Sequence, residues 1–450
     1  MTVKQKEKFQ GFPVVHPRAA GIDVGNTSHW VAVPLDVSDS TVREFGTFTA
    51  DLQTIADWLI GCGVTTVAME STGVYWIPLF ELLESRGLKV CLVDTRRLKS
   101  VPGRKSDYQD CQWLQKLHTF GLLSSAFRPD DQVVRLRSYL RHRAMLIRYA
   151  SHHIQHMHKA LQQMNVKLAN VISDLTGTTG LAIIRAILGG ERDPQKLAAM
   201  RDPRCRNNEA TIAKSLEGNW REDHLFELAQ SLDLYETYRQ KTQQCDLEIE
   251  RCLGEFPDLS DGQPLPPKKD HGGHRNAPTF DARTYLYRIC GVDLTVIDGI
   301  EANTAMKLLG EIGTNIRRWP TVKHFCSWLG VCPKNKKSGG KVLSSRSRSS
   351  GNRAAAALRM AVQSLEHSAS AMGAFYRRMK ARLGAPAAIT AAAHRLARTI
   401  YALLRYGQPY VDQGQEAYEQ QYQKRALENL ERRAHKLGFR LTPAKALSPA

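Results

Sequence analysis

Paired cysteine is missing from this sequence. Its nine cysteines, among them Cys62, Cys91, Cys111, Cys245 and Cys332, form no C-x-x-C pair and no His-Cys spacing of a zinc site. No zinc is therefore expected, and an odd, dispersed set of thiols fits a reducing cytoplasm rather than a disulfide framework. Long apolar runs are missing too: no uncharged stretch reaches eighteen residues, and the charged N-terminus Met1–Lys8 has no apolar signal region. A membrane partner is thus not expected, and a cytoplasmic location is. A Gly-Lys-Ser/Thr run is absent, which excludes a P-loop. The most telling scarcity is of acid. Between Ile312 and Val411 only Glu366 stands against eighteen Lys and Arg, and this segment carries most of the net charge of +19. Such a balance over a hundred residues exceeds what solubility needs and points to a polyanionic partner, a nucleic acid. The 42% hydrophobic content rules out a wholly disordered chain, and 450 residues suffice for two or three domains.

The acids that are present sit in informative places. Ser106-Asp107-Tyr108-Gln109-Asp110 opens a helix with two carboxylates three residues apart, on one face. Ser106 suits an N-cap, so both acids could simply complement the helix dipole. Two upstream acids argue for more. Asp23 lies inside the short apolar strand Gly21-Ile22-Asp23-Val24, with Trp30–Leu35 as its hairpin partner, and Glu70 ends a second apolar strand, Thr65–Glu70. A carboxylate within such a strand is costly to bury unless paired or metal-bound. Oxygen ligands from two strands and a helix suit magnesium or manganese.

Along the chain, residues 1–18 read as a basic arm and 19–130 as an α/β domain. There a third strand, Val42–Phe48, precedes helices at Asp51–Leu59 and Tyr75–Arg86, with the strand Lys89–Val93 after them. Residues 131–253 read as a helical coiled-coil region for oligomerisation and RNA binding. Its first seam runs Leu136, Leu140, Arg143, Ile147, Ala150, Ile154, Met157, Leu161 and Met164, with Arg135, Arg137, Arg141, Arg148, His152, His153, His156 and Lys159 on exposed positions. A second seam, Leu225, Leu228, Leu232, Tyr235, Thr242, Cys245, Ile249 and Cys252, predicts an antiparallel partner helix. The Pro- and Gly-rich stretch from Gly254 predicts a mobile linker over 254–285.

Residues 286–411 form the expected C-terminal domain, mainly α-helical, followed by a helical or mobile tail at 412–450. Leu294–Gly313 reads as two short helices about a glycine turn, either a helix-hairpin-helix whose amides bind phosphate or an ordinary αα-hairpin. Beyond it comes a Gly/Ser/Lys loop with Lys334, Lys336, Lys337, Ser338, Lys341, Arg346, Arg348, Asn352 and Arg353, compatible with cradling a phosphate.

Taken in order, Gly21-Ile22-Asp23-Val24, Met69-Glu70-Ser71-Thr72-Gly73 and Arg104-Lys105-Ser106-Asp107-Tyr108-Gln109-Asp110 resemble the DEDD transposases of bacterial insertion sequences, described as bridge-RNA-guided recombinases. The resemblance implies a RuvC-like, RNase H-type fold for the N-terminal domain and carries Asp23, Glu70, Asp107 and Asp110 over as metal ligands. The loop is similar to the family's C-terminal serine domain, in which a Ser-Gly motif lies thirteen residues before Gly-Asn-Arg, matched here by Ser338-Gly339 and Gly351-Asn352-Arg353. That carries Ser338 over as nucleophile. Arg346-Ser347-Arg348-Ser349 departs from the family's Ile-Ser-Lys-like run, and Ser344, Ser345, Ser347, Ser349 and Ser350 stand as neighbouring alternatives. Positive charge would have to stabilise the pentacoordinate phosphate, because a serine hydroxyl is a weak nucleophile at neutral pH.

The resemblance further implies donor and target DNA as partners and a structured non-coding guide RNA that chooses their sequences. It also implies a tetramer and a nucleoid-associated place in a bacterium. Arg104 and Lys105 join the loop's Lys and Arg as expected nucleic-acid-binding residues. The rival enzymatic reading is a metal-dependent, RuvC-like structure-selective nuclease with no covalent intermediate. A non-enzymatic RNA-binding architectural protein is the third.

Overall fold

The computed structural model describes residues 13–71, 73–93, 106–267, 275–348, 351–407 and 410–442. Two compact units divide the chain between Arg128 and Pro129.

The first unit is built on a five-stranded mixed sheet. Strands β1 (Ala19–Val24), β2 (His29–Ala32) and β3 (Val42–Phe45) form an antiparallel meander, while β4 (Thr66–Glu70) and β5 (Lys89–Val93) run parallel to β1, in the order β3-β2-β1-β4-β5. The β1–β2 turn is closed by the Gly25 N–H donating to the Ser28 carbonyl at 3.0 Å. Parallel pairing needs crossovers, supplied by helices α1 (Thr49–Gly61) and α2 (Trp76–Ser85). Their apolar stripes, Leu52, Ile55 and Leu59 from α1 and Leu79, Phe80 and Leu83 from α2, close over Ile22, Val67 and Met69 on one face of the sheet. Each such fully buried side chain contributes about 1.5–3 kcal/mol.

The opposite face takes helix α3 (Asp107–Thr119), whose Leu114 packs with Ala68 and Val93. Side chains alternate along a strand, so Gly21 and Asp23 share this face while Ile22 points to the other. Glycine at position 21 is required by distance: a Cβ there would stand 2.3 Å from the Gln115 nitrogen and 2.4 Å from the Cys111 oxygen, both backbone atoms of α3.

In the second unit, helices α4 (Asp131–Gln163) and α5 (Glu222–Gly254) pack antiparallel. The direction is fixed by their contacts: Arg135 meets Glu255, the Tyr139 carbonyl accepts from the Cys245 thiol, Arg143 pairs with Asp246, and Tyr149 and His153 lie against Tyr238. Leu136, Leu140, Ala150, Met157 and Leu161 are buried as the heptad pattern predicts, with Leu228, Leu232, Tyr235, Cys245, Ile249 and Cys252 opposite. Between the two helices in sequence, Thr178–Leu188 and shorter helical segments complete a core with Met157, Leu161 and Leu228. The seam's one charge, Arg143, is buried with Asp246, and its guanidinium also donates to the carbonyls of Asn276 and Ala277.

Two residues expected on the exposed face, His153 and Arg137, are half-buried, and a third, Arg141, is exposed but engaged. His153 stacks on Tyr238 at 5.5 Å, and burial lowers its pKa. Arg137 donates to the carbonyls of Gly310 and Glu311, and Arg141 forms a two-pronged pair with the Glu311 carboxylate at 3.0 and 2.8 Å. Arg137 therefore caps the C-terminus of a helix about 170 residues away, and Arg141 pairs with a carboxylate in that helix's last turn, where cations also complement the helix dipole.

The described parts of the expected linker are also anchored. Phe256 and Ser260 are buried, the Leu259 N–H donates to the Arg288 carbonyl, and Arg288 pairs with Asp258 at 2.8 Å. The residues 268–274 lie outside the described set.

The remaining elements are α6 (Ala282–Cys290), α7 (Ala302–Ile312), α8 (Val322–Leu329), the hairpin β6–β7 (Lys336–Ser338 and Lys341–Ser344), α9 (Arg353–Gln363), α10 (Ala371–Leu383), α11 (Ala385–Tyr406) and α12 (Gly414–Lys436). Over 294–313 the first limb is a single 3-10 turn, Leu294–Val296, and only the second is an α-helix. The β-branched run Thr295-Val296-Ile297 followed by Asp298-Gly299 disfavours a longer helix there. Tyr401 of α11 anchors this region, donating its hydroxyl to the Trp319 carbonyl at 2.8 Å and packing on Phe325 of α8. Among the described residues no helix is long and apolar enough to cross a membrane.

Candidate functional sites

Four acids meet on the α3 face of the first unit. The pairing of Ile22 with Met69 sets β1 and β4 in register, so Asp23 and Glu70 occupy neighbouring positions at the C-terminal ends of adjacent strands. Asp107 and Asp110 lie in the first turn of α3, whose N-cap is Ser106, its hydroxyl accepting from the Gln109 N–H at 3.4 Å. The backbone of α3 rests on Gly21 one turn further along, which brings the helix head over Asp23. The small residues Gly21 and Ala68 thus decide how close the acids come.

Their proximity is felt at Asp23. Burial, and then the carboxylates of Glu70, Asp107 and Asp110, push its pKa from 3.8 up to about 7. The adjacent Cys111 thiol is pushed up to about 12, by burial first and then by Asp23. Carboxylates that make a neighbour hold its proton this tightly offer a hard divalent cation the oxygen donors it prefers, and a cation would relieve the repulsion. The donors remain spread: among the described residues, no three of these carboxylates bring oxygens within 4.8 Å of one another. The rim carries two aromatic rings absent from the sequence-based site, Trp30, which pairs with Asp23 across β1–β2, and Tyr108, edge-to-face with it at 6.0 Å. Tyr108, lying between Asp107 and Asp110 in sequence, was the available signal.

The second set of expected residues lies in the second unit. Ser338 closes the β6–β7 hairpin opposite Lys341, across the Gly339-Gly340 turn. Both glycines have positive φ, 52° and 76°, as a two-residue hairpin turn of the mirror-image type demands. Ser338 is exposed, as are Lys334, Lys336, Lys337, Lys341, Arg346 and Arg348. Among the described residues none hydrogen-bonds the Ser338 hydroxyl. The hairpin's root is held by the Pro333–Ser347 bridge and by the Lys334 N–H donating to the Arg346 carbonyl at 3.2 Å. Asn352 caps α9, accepting from the Ala355 N–H at 3.1 Å, which sets Arg353, itself exposed, in that helix's first turn. Of the neighbouring serines, the Ser344 hydroxyl accepts from the Arg346 N–H at 3.3 Å. Arg104, Lys105, Ser349 and Ser350 lie outside the described residues.

Comparison with known proteins covers parts of both units. Residues 20–166 match a family model for DEDD transposases of the IS110 type, described as transposase. Residues 293–377 match the model described as transposase, IS116/IS110/IS902 family. The first match contains all four acids, and the second contains Ser338 and the basic hairpin. No curated protein matches the chain.

Proposed function

The chain belongs to the IS116/IS110/IS902 family of insertion-sequence transposases, enzymes acting on DNA, and on that premise we propose that it exchanges DNA strands through a covalent link to Ser338. The observation that carries this reading is the position of Ser338. It is an exposed hydroxyl at the tip of a hairpin bearing Lys336, Lys337 and Lys341 and no acid. Lysines there bind the phosphodiester and stabilise the charge that builds on phosphorus as oxygen attacks. The serine Oγ–P bond forms as one sugar-oxygen–P bond breaks, and the serine proton ends on the released sugar hydroxyl. Attack by a second strand's hydroxyl reverses the step, returning the proton to serine and conserving the number of phosphodiesters.

Asp23, Glu70, Asp107 and Asp110 are proposed to hold magnesium or manganese. When bound, the metal supplies charge neutralisation and activation of reacting oxygens. The strand order β3-β2-β1-β4-β5, with acids ending β1 and β4 and heading α3, supports an RNase H-like, RuvC-like reading of the first unit. We further assign sequence choice to a structured non-coding RNA paired with donor and target DNA, the protein reading backbone and shape. The assembly is proposed to be a tetramer. The basic segment 312–411 supports binding to such polyanions.

The deciding experiment offers wild-type protein a guide RNA, magnesium and a nicked or suicide DNA target. A protease-sensitive protein–DNA adduct is expected, with none from Ser338→Ala, which should still bind RNA. Peptide mass spectrometry would place the linkage within Lys337–Arg353. A linkage at Ser345, Ser347 or Ser349 moves the nucleophile. Cleavage by both proteins with no adduct in either leaves the RuvC-like nuclease reading instead.

A further inference from the structure

Among the described residues, one set of three His, Cys, Asp or Glu side chains brings its donor atoms within 4.8 Å of one another: Cys326, Cys332 and His394. The three come from different elements. Cys326 is buried in α8, Cys332 lies just beyond that helix next to Pro333 at the root of the β6–β7 hairpin, and His394 is half-buried on α11. Arg398, one turn beyond His394, is close enough to act electrostatically on both Cys326 and His394. Burial pushes the Cys326 thiol up to about 12, and the Arg398 charge offsets only part of that rise.

We propose that Cys326, Cys332 and His394 bind a zinc ion, with water as its fourth ligand. Two sulfurs and an imidazole are a borderline-soft donor set that selects zinc over magnesium or manganese. In a tetrahedral site with Zn–S of about 2.3 Å and Zn–N of about 2.0–2.1 Å, donor atoms stand roughly 3.5–3.8 Å apart. Atoms already within 4.8 Å need only rotamer adjustments of about an ångström to reach that spacing. Binding exchanges two thiol protons for Zn2+, so two protons are released and the centre carries no net charge from its metal and thiolates. The ion would tie α8, α11 and the hairpin root together, fixing the direction in which the hairpin leaves the helical core. The alternative is that one buried and one half-buried thiol and a histidine merely pack together, as free cysteines commonly do. The proposal is independent of the role assigned to Ser338 and of the carboxylate site.

The spacing hid this set. Cys326 and Cys332 are six residues apart, outside the C-x2–4-C range of zinc fingers, and His394 lies sixty-two residues beyond Cys332. Only the packing of α11 against α8 brings the imidazole to the thiols.

Cobalt(II) tests it directly. The full-length chain, reduced, stripped with chelator and titrated with Co2+, should develop a sulfur-to-cobalt charge-transfer band and the visible bands of a four-coordinate site. These should saturate at one equivalent, and zinc should abolish them. Cys332→Ser should weaken binding by more than the tenfold to hundredfold that even outer-shell changes cause. If that variant does not fold by circular dichroism, His394→Asn carries the same test. No charge-transfer band in the wild-type chain overturns the proposal. So does a band that survives in folded Cys332→Ser and His394→Asn, because other thiols would then be holding the metal.

Discussion

Asp23→Asn should stabilise the metal-free protein while abolishing its chemistry. The Asp23 carboxyl is raised from 3.8 to about 7 by burial and by Glu70, Asp107 and Asp110. With a raised pKa, the unfolded state ionises first as pH rises, so the folded state is penalised progressively between about 3.8 and 7 and fully above 7. At 1.36 kcal/mol per pKa unit the shift bounds the penalty at about 4 kcal/mol. Asp23 is only partly buried, and solvent screening reduces this to roughly 1–2 kcal/mol. The amide keeps the shape and removes the charge, so above pH 7 it should recover that energy, a melting-point gain of about 3–8 °C for a unit of this size. The gain should be much smaller near pH 5, where less of the penalty has developed. Thermal unfolding of chelator-treated wild type and variant, at pH 5 and pH 8, measures it. Added magnesium or manganese should raise the wild-type melting point more at pH 8 than at pH 5, because protons compete for the same oxygens, and should do less for the variant. A variant that melts at or below the wild-type temperature at pH 8 would show that the four acids do not repel one another, and the metal assignment would fall with it.

Gly21→Ala pushes a methyl into the α3 backbone at 2.3–2.4 Å, so the helix must retreat by about 1 Å. Overpacking of this kind costs about 1–3 kcal/mol, and displacing Asp107 and Asp110 should slow strand exchange on the order of 10²-fold; wild-type activity would mean the close approach is unimportant. Arg143→Leu leaves Asp246 buried with the Thr279 N–H at 3.2 Å and without its guanidinium. A loss of about 3–5 kcal/mol in denaturant unfolding is expected, largely reversed by adding Asp246→Leu, and a single-variant loss under about 1 kcal/mol would count against a dry ion pair. DNA affinity should fall on the order of 10³ to 10⁵ between 50 and 200 mM salt if about six to ten phosphates are contacted, and a flat filter-binding response would contradict backbone binding through the basic segment.

Local signals were legible where they alone decide the structure. The apolar runs placed β1, β4 and β5, Ser106 was recognisable as a cap, and the heptads located the buried faces of α4 and α5. The four acids were legible because strand ends and a helix start brought them to one edge of one sheet. Contacts between distant segments were not. Arg137 and Arg141 look solvated on a helical wheel, and nothing local reveals that carbonyls and a carboxylate near residue 310 await them. Gly21 reads as part of a strand's entrance until α3 is laid on it. The stretch after Gly254 has a composition unable to make a core of its own, yet Phe256 and Ser260 borrow one from their neighbours.

The β6–β7 hairpin has a consequence for restraint. Nearly every residue in it is exposed, its tip is two glycines, and a two-stranded ribbon without a buried face is only marginally stable in water. A hydroxyl carried on so thinly supported an arm has a low effective concentration against any phosphate it meets by chance. Contacts that the nucleic acid itself supplies to the flanking lysines would order the arm, and the free energy of that ordering is charged to binding. On the role proposed for Ser338, correct engagement of DNA then becomes the condition for reactivity. On that same role, a transposase of this kind is kept quiet between substrates by carrying its nucleophile on a weakly supported arm.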